Sequence, residues 1–211
     1  MLDAQEKLAE VQKKIDALNQ DAAPEENPPA EIDTRESLAL RKGQRVPLTK
    51  NNPALNEIII ESRWESDDDL EIDASAFLLA ADGKTHADED FIFYGNTRHT
   101  SGAVELDNAA IHIKLKKIPD AIERISFTLT IYEAETRKQN FGRVKVFVRV
   151  IDGAARKEIF RLDLREGFSV ETAIVGGEIY RHKGEWKFNA VGAGFSGGLK
   201  ALCEMFGVEV D

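Results

Sequence analysis

The chain has 211 residues, which suits one domain with an appendage or two small ones. Its 38 acidic residues outweigh 28 Lys and Arg, giving a formal charge of -10, and this argues against a nucleic-acid partner, because neutralising phosphates takes clustered basic side chains. A single cysteine leaves no internal disulfide to form, and no apolar run approaches the roughly 20 residues of a membrane-spanning helix, so direct membrane insertion is not expected.

Residues 2–20 read as a helix: Ala4, Leu8, Val11, Ile15 and Leu18 alternate steps of four and three, the seam of a coiled coil. An isolated helix of little more than two heptads is marginal in water. It therefore calls for a partner, either a second copy in a homo-oligomer or the body of its own chain. This N-terminus is acidic and amphipathic instead of basic then apolar, so it does not read as a secretory signal, and a reducing cytoplasm is the expected location. Residues 21–37 hold Pro24, Pro28 and Pro29 among polar and acidic side chains and read as a linker.

From Leu38 onward strands dominate. They are expected over 57–64, 90–94, 110–115, 124–131, 144–151, 158–164, 169–180 and 185–191, separated by the turn signals Asp82-Gly83, Ser101-Gly102, Asp152-Gly153 and Lys183-Gly184. Many short strands with little helix between them predict an all-β fold, an antiparallel β-sandwich. One amphipathic helix closes the chain, from Gly197 to Phe206 with Gly207 as its stop. Its Leu199, Leu202, Cys203 and Phe206 form an apolar stripe, which makes Cys203 a core residue before a nucleophile.

The chemistry concentrates in the run Asp67 to Phe77. Asp69, Glu71 and Asp73 recur every second residue with Leu70 and Ile72 between them. On a strand the three carboxylates share one face, roughly 7 Å apart. Hard cations such as Ca²⁺ use oxygen-rich sets of this kind, taking six to eight oxygen ligands; the competing reading is a solvated acidic edge. Elsewhere His86, His99, His112 and His182 are scattered without metal-ligand spacing, and no nucleophile and base stand together in the sequence, so no enzyme is expected. Gly192, Gly194, Gly197 and Gly198 lack the context of a nucleotide loop and read as packing and turn residues.

Residues 38–211 resemble the TerD family of tellurium-resistance and general stress proteins. The resemblance runs in order through Leu40-Arg41-Lys42-Gly43, Asp73-Ala74-Ser75-Ala76-Phe77-Leu78-Leu79, Asp88-Glu89-Asp90-Phe91-Ile92-Phe93-Tyr94, Ile131-Tyr132-Glu133-Ala134 and Gln139-Asn140-Phe141-Gly142. It continues through Glu178 to Phe188 and Gly192 to Leu199. The resemblance implies a β-sandwich without known enzymatic activity that binds Ca²⁺ through acidic loops. It implies service in bacterial resistance to tellurite, phage and colicins alongside other Ter proteins at the membrane.

Carried over residue by residue, the implied metal ligands are Asp69, Glu71 and Asp73, with Glu71 in place of the family's middle aspartate. Asp88 and Asp90 match a second acidic pair that could converge on the first. Glu133 matches the acid of the family's "H-E-A", and Asp107-Asn108 its Asp-Asn pair. The chain then departs from the family pattern. Leu106 replaces a glycine, most of the acidic loop before Ala110 is missing, and the two implied calcium ions become one, or a weak one. Two functions follow: a calcium-binding, non-enzymatic scaffold of a Ter stress-response system, or a divergent adaptor that has lost the metal and works through protein contacts of its N-terminal helix.

Overall fold

The computed structural model describes residues 32–165 and 167–209. The helix expected over 2–20, its proposed self-association and most of the linker lie outside them. Within the segment read as linker, Asp33 bridges Lys157 in parallel register and accepts from Arg35.

Two sheets form a sandwich. One has six strands in the order β1 (Leu38–Leu40), β10 (Lys157–Asp163), β9 (Lys145–Asp152), β3 (Glu57–Glu65), β7 (Ala110–Lys114) and β6 (Val104–Asp107). The other runs β2 (Arg45–Pro47), β12 (Glu185–Asn189), β11 (Ala173–His182), β8 (Arg124–Ile131), β4 (Ile72–Leu79) and β5 (Phe91–Ile92), with β13 (Ala193–Phe195) added beside β11. All pairings are antiparallel except β1 with β10. The alternation that marks these segments in the sequence sets which face each residue takes. Ile58, Ile60, Val146, Val148 and Val150 point inward from the six-stranded sheet, and Ala74, Ala76, Ile125, Phe127 and Leu129 meet them from the other.

A second, smaller core lies on the outer face of the seven-stranded sheet. The C-terminal helix, α2 (Gly198–Phe206), starts after Gly197 at φ 94° and stops at Gly207 at φ 83°, both in the left-handed region that glycine tolerates. Its Leu202, Cys203 and Phe206 bury against Phe77, Leu79, Phe91, Ala173 and Val175. A file of rings leads outward from it: Phe206 to Phe77 at 4.6 Å, Phe77 to Phe91 at 4.5 Å, Phe91 to Phe93 at 4.5 Å, and Phe93 to Tyr94 at 5.1 Å. The buried position of Cys203 matches its expected core role; Trp186 is buried as well, and Trp64 packs partly against the core.

Several expected elements are shorter. The strand expected over 90–94 is reduced to Phe91–Ile92, because Asp88–Asp90 form a single 3-10 turn, and the backbone N–H groups of His86 and Ala87 leading into it donate to the Asp90 carboxylate. The acidic run is not a strand throughout. Residues 66–71 connect β3 to β4, and of the three alternating acids only Asp73 lies in β4. The in-and-out pattern survives in the loop, where Asp69 and Glu71 are exposed and Leu70 packs on the core. A one-turn helix, α1 (Ala134–Arg137), follows β8 and has too few residues for a periodic signal.

Candidate functional site

The β3–β4 connection is short, so the end of β3 and the start of β4 lie at one end of the sandwich. Ile72 pairs with Ile131, which brings the end of β8, with Tyr132 and Glu133 after it, to the same place. Ala173 pairs with Thr130, placing the start of β11 and the start of α2 there as well, since the Thr172 hydroxyl accepts from Gly198 N. Asp69, Glu71, Asp73 and Glu133 therefore collect at this end. Asp107 and Asn108 turn the β6–β7 hairpin in the opposite sheet at the same end, with Asn108 at φ 51° and its amide donating to Asp107.

Asp88 and Asp90 do not join them. Phe77 pairs with Phe91, so Asp90 lies level with Leu78, about 16 Å along β4 from Asp73. The Asp90 carboxylate is also fully engaged: it accepts from His86 N at 3.2 Å and Ala87 N at 3.1 Å, and it faces His99 Nε2 at 3.3 Å. His99 Nδ1 in turn meets the Ser101 hydroxyl at 2.7 Å. This serine–histidine–aspartate line, which sequence spacing does not reveal, fastens a turn: Ser101 N also donates to His99 Nδ1, and Ala103 N donates to Ser101 Oγ.

The acidic end opens as a cleft of about 500 Å³ lined by Asp73, Tyr94, Thr130, Tyr132, Glu133 and Lys200 among others. Tyr94 and Tyr132 are two of the few large apolar side chains exposed on the surface. Burial, and after it the Glu71 carboxylate, raise the pKa of Asp73 above the ordinary 3.8. Its carboxylate has no hydrogen-bond or ion-pair partner among the described residues. Glu71 and Glu133 instead flank the guanidinium of Arg137, each at 3.6 Å. The Glu133 carboxylate, before burial, raises the pKa of the Tyr132 phenol.

Two backbone links hold the acidic loop against the β8–α1 corner. Tyr132 N donates to Glu71 O at 2.9 Å, and Gln139 Nε2 donates to Asp69 O at 2.9 Å. Among the described residues no three His, Cys, Asp or Glu side chains are gathered closely enough to hold a metal ion as they stand. The donor chemistry at this end still suits a hard cation: clustered carboxylate oxygens, one of them unpartnered and raised in pKa, with the threonine hydroxyls of Thr130 and Thr172 beside them. Arg137 is the functional candidate that sequence reasoning missed. Its four-residue spacing from Glu133 on a helical turn was the available signal.

The model of the TerD domain matches residues 37–206. The chain is 47% identical to the uncharacterized protein YceE of Bacillus subtilis (strain 168), covering 82% of this chain and 100% of that protein. It is 42% identical to the general stress protein 16U of the same organism, covering 82% and 99%. With the tellurium resistance protein TerD of Serratia marcescens it shares 39% identity over 82% of this chain and 98% of that protein. In fold it is similar to the crystal structure of a homologue of telluride resistance protein (TerD), SCO6318 from Streptomyces coelicolor A3(2). That match has a TM-score of 0.54 and 17% identity, over 74% of this chain and 99% of that one. On its sequence, the chain belongs to the TerD family of tellurium-resistance and stress proteins.

Proposed function

We propose that this chain is a non-enzymatic, calcium-binding member of a tellurite-resistance and stress-response system, acting in the cytoplasm through protein partners of the same Ter type. The observation that carries the reading is Asp73, a partly buried carboxylate with a raised pKa and no hydrogen-bond or ion-pair partner among the described residues, which lines one cleft with Glu133 and lies within reach of the Glu71 charge. A carboxylate in that state is stabilised by a nearby positive charge. Asp73, Glu71, Glu133 and Asp69 are the residues that would hold the ion, with Thr130 and Thr172 as neutral oxygens within the same cleft. Ca²⁺ bound there supplies charge that offsets the mutual repulsion of these carboxylates. Asp107 and Asn108 stand at the same end as further donors. Asp90 is committed to its turn, which favours one ion over two.

The fold supports a binding role over a catalytic one. The carboxylate end carries exposed tyrosines, residue types that anchor protein interfaces, and its loops are tied to the sheet by hydrogen bonds that an ion would tighten. Self-association through residues 2–20 belongs to the same proposal. Among the described residues no helix is long and apolar enough to cross a membrane.

The test is melting temperature against added Ca²⁺, with Mg²⁺ as control. The native protein should gain several degrees at saturating Ca²⁺, and Asp73→Asn should lose that gain while keeping its fold. A variant that retains the full gain would move the ion away from Asp73. One observation favours the metal-free adaptor as a second reading: Glu71 and Glu133 already have a cation in Arg137, so the acidic end is partly neutral without metal.

A further inference from the structure

On the outer face of the six-stranded sheet, Glu61 and Arg63 of β3, Phe147 and Arg149 of β9, and Arg161 and Asp163 of β10 alternate with the inward residues of the core. The register lays them in two rows, Glu61 with Arg149 and Arg161, and Arg63 with Phe147 and Asp163. A groove of about 750 Å³ follows these rows and reaches Glu65, the last residue of β3, after which the acidic loop 66–71 begins. We propose that this groove receives Asp67 and Asp68 of a second copy of the chain, in a two-fold contact where each protomer inserts its loop into the other's groove.

The groove holds an unmet positive charge. Arg149 and Arg161 stand directly opposite each other on adjacent strands, an arrangement that costs stability unless the charges are neutralised. Arg149 is neutralised: its Nε donates to Glu61 at 2.7 Å, and its guanidinium lies 3.6 Å from the carboxylate of Glu158, which is 2% exposed. Arg63 shares Glu61 at 2.9 Å, and Arg165, lying over the Phe147 ring, donates to Asp163 at 2.7 Å. Arg161 is exposed and has no acidic partner among the described residues, and Ala39, its neighbour on β1, is too short to cover it. A guanidinium left in this state suits a carboxylate, which it can meet with two parallel hydrogen bonds.

The matching negative charge lies on the same surface. Asp67 and Asp68 are exposed, and their carboxylates have no partner among the described residues. The Ser66 hydroxyl accepts from Asp68 N at 3.1 Å and shapes the loop that presents them. The calcium reading uses neither carboxylate, so this contact forms without metal. Loop and groove meet at Glu65, and each protomer therefore carries both signs side by side. A two-fold axis pairs each patch with its opposite, which is how a closed, isologous dimer is built. The chain's net charge of -10 repels a second copy at a distance, so association needs local complementarity of this kind. The contact is polar and exposed, which makes the dimer weak and readily separated.

Sedimentation velocity of the full chain over a range of concentrations, with a chelator present, tests this. The native protein should associate as its concentration rises. Arg161→Glu should weaken that association at least about tenfold, because like charges then meet twice across the two-fold axis. The double variant Asp67→Lys/Asp68→Lys should weaken it in the same way. An equal mixture of the two variants should recover the native association, since both contacts of the mixed dimer again join opposite charges. Lys116→Glu is the control for net charge: it lies beyond the other end of β3, where its N donates to Asn56 Oδ1, and it should associate as the native chain does. All these side chains are exposed, so each variant should keep the native melting temperature. Association through residues 2–20 would survive every one of these charge reversals. A native protein that stays monomeric, an association that Arg161→Glu leaves unchanged, a mixture as weak as its components, or an equal loss in Lys116→Glu overturns the inference.

Discussion

At Asp73 two influences act in one direction: burial at the start of β4 comes first and the Glu71 carboxylate second, and both raise the pKa above 3.8. A carboxyl whose folded pKa exceeds its unfolded value holds its proton longer in the folded state. Stability therefore falls as the pH rises from about 3.8 through the folded pKa, and above that the ionised group is a fixed cost to the ion-free protein. Asp73→Asn, which removes the charge and keeps the shape, should melt about 1–2 °C above the native protein at pH 7 without metal. The difference should shrink as the pH falls toward 4; a variant less stable at pH 7 would contradict the electrostatic account. The Asp90 carboxylate, unlike that of Asp73, is surrounded by hydrogen-bond partners: two backbone N–H groups and His99. Asp90→Ala strands those donors and should cost about 2–3 kcal/mol by urea denaturation, with no loss of calcium affinity. A large loss of calcium affinity in Asp90→Ala would place the second acidic pair back in the site.

Among the elements, the loop after α1 shows how a short motif serves packing. A Cβ built on Gly142 would stand 2.4 Å from the Ser169 carbonyl oxygen, a backbone atom that cannot swing aside. Gly142→Ala should therefore cost about 1–3 kcal/mol, read from the denaturation midpoint, although Gly142 itself is exposed. α2 makes the matching case from the apolar side. Leu202 is fully buried in the second core, and Leu202→Ala should cost about 2–5 kcal/mol and loosen the helix from the sheet. If the helix were peripheral to stability, that variant would unfold at the native midpoint.

The strands with a clean period of two, such as those around Ile58, Phe127 and Val148, were legible because one face of each is fully buried. β1, β2 and β13 have three residues each and exist only because a longer neighbour offers its edge, so no local pattern announces them.

For the described domain, one end of the sandwich gathers the acidic candidate site. The residue types of that candidate site were legible: Asp69, Glu71 and Asp73 by their alternation, Glu133 through the family resemblance. Their partner was not, because only the antiparallel pairing of β4 with β8 brings Arg137 to Glu71 across more than sixty positions of sequence. The pairing of β4 with β5 sends Asp90 to the far end, a separation that a motif comparison cannot express. An ion that binds only the folded chain adds stability by mass action, about 2.7 kcal/mol at a hundred times its dissociation constant. That gain is expected from a single site, since the Asp90 carboxylate is already taken up by His86 N, Ala87 N and His99. The most direct measurement is the calorimetric stoichiometry of Ca²⁺ on the metal-stripped full chain at physiological salt. One ion per chain, lost in Asp73→Asn, is the predicted result; no heat up to millimolar Ca²⁺, or one ion that Asp73→Asn still binds unchanged, would contradict it.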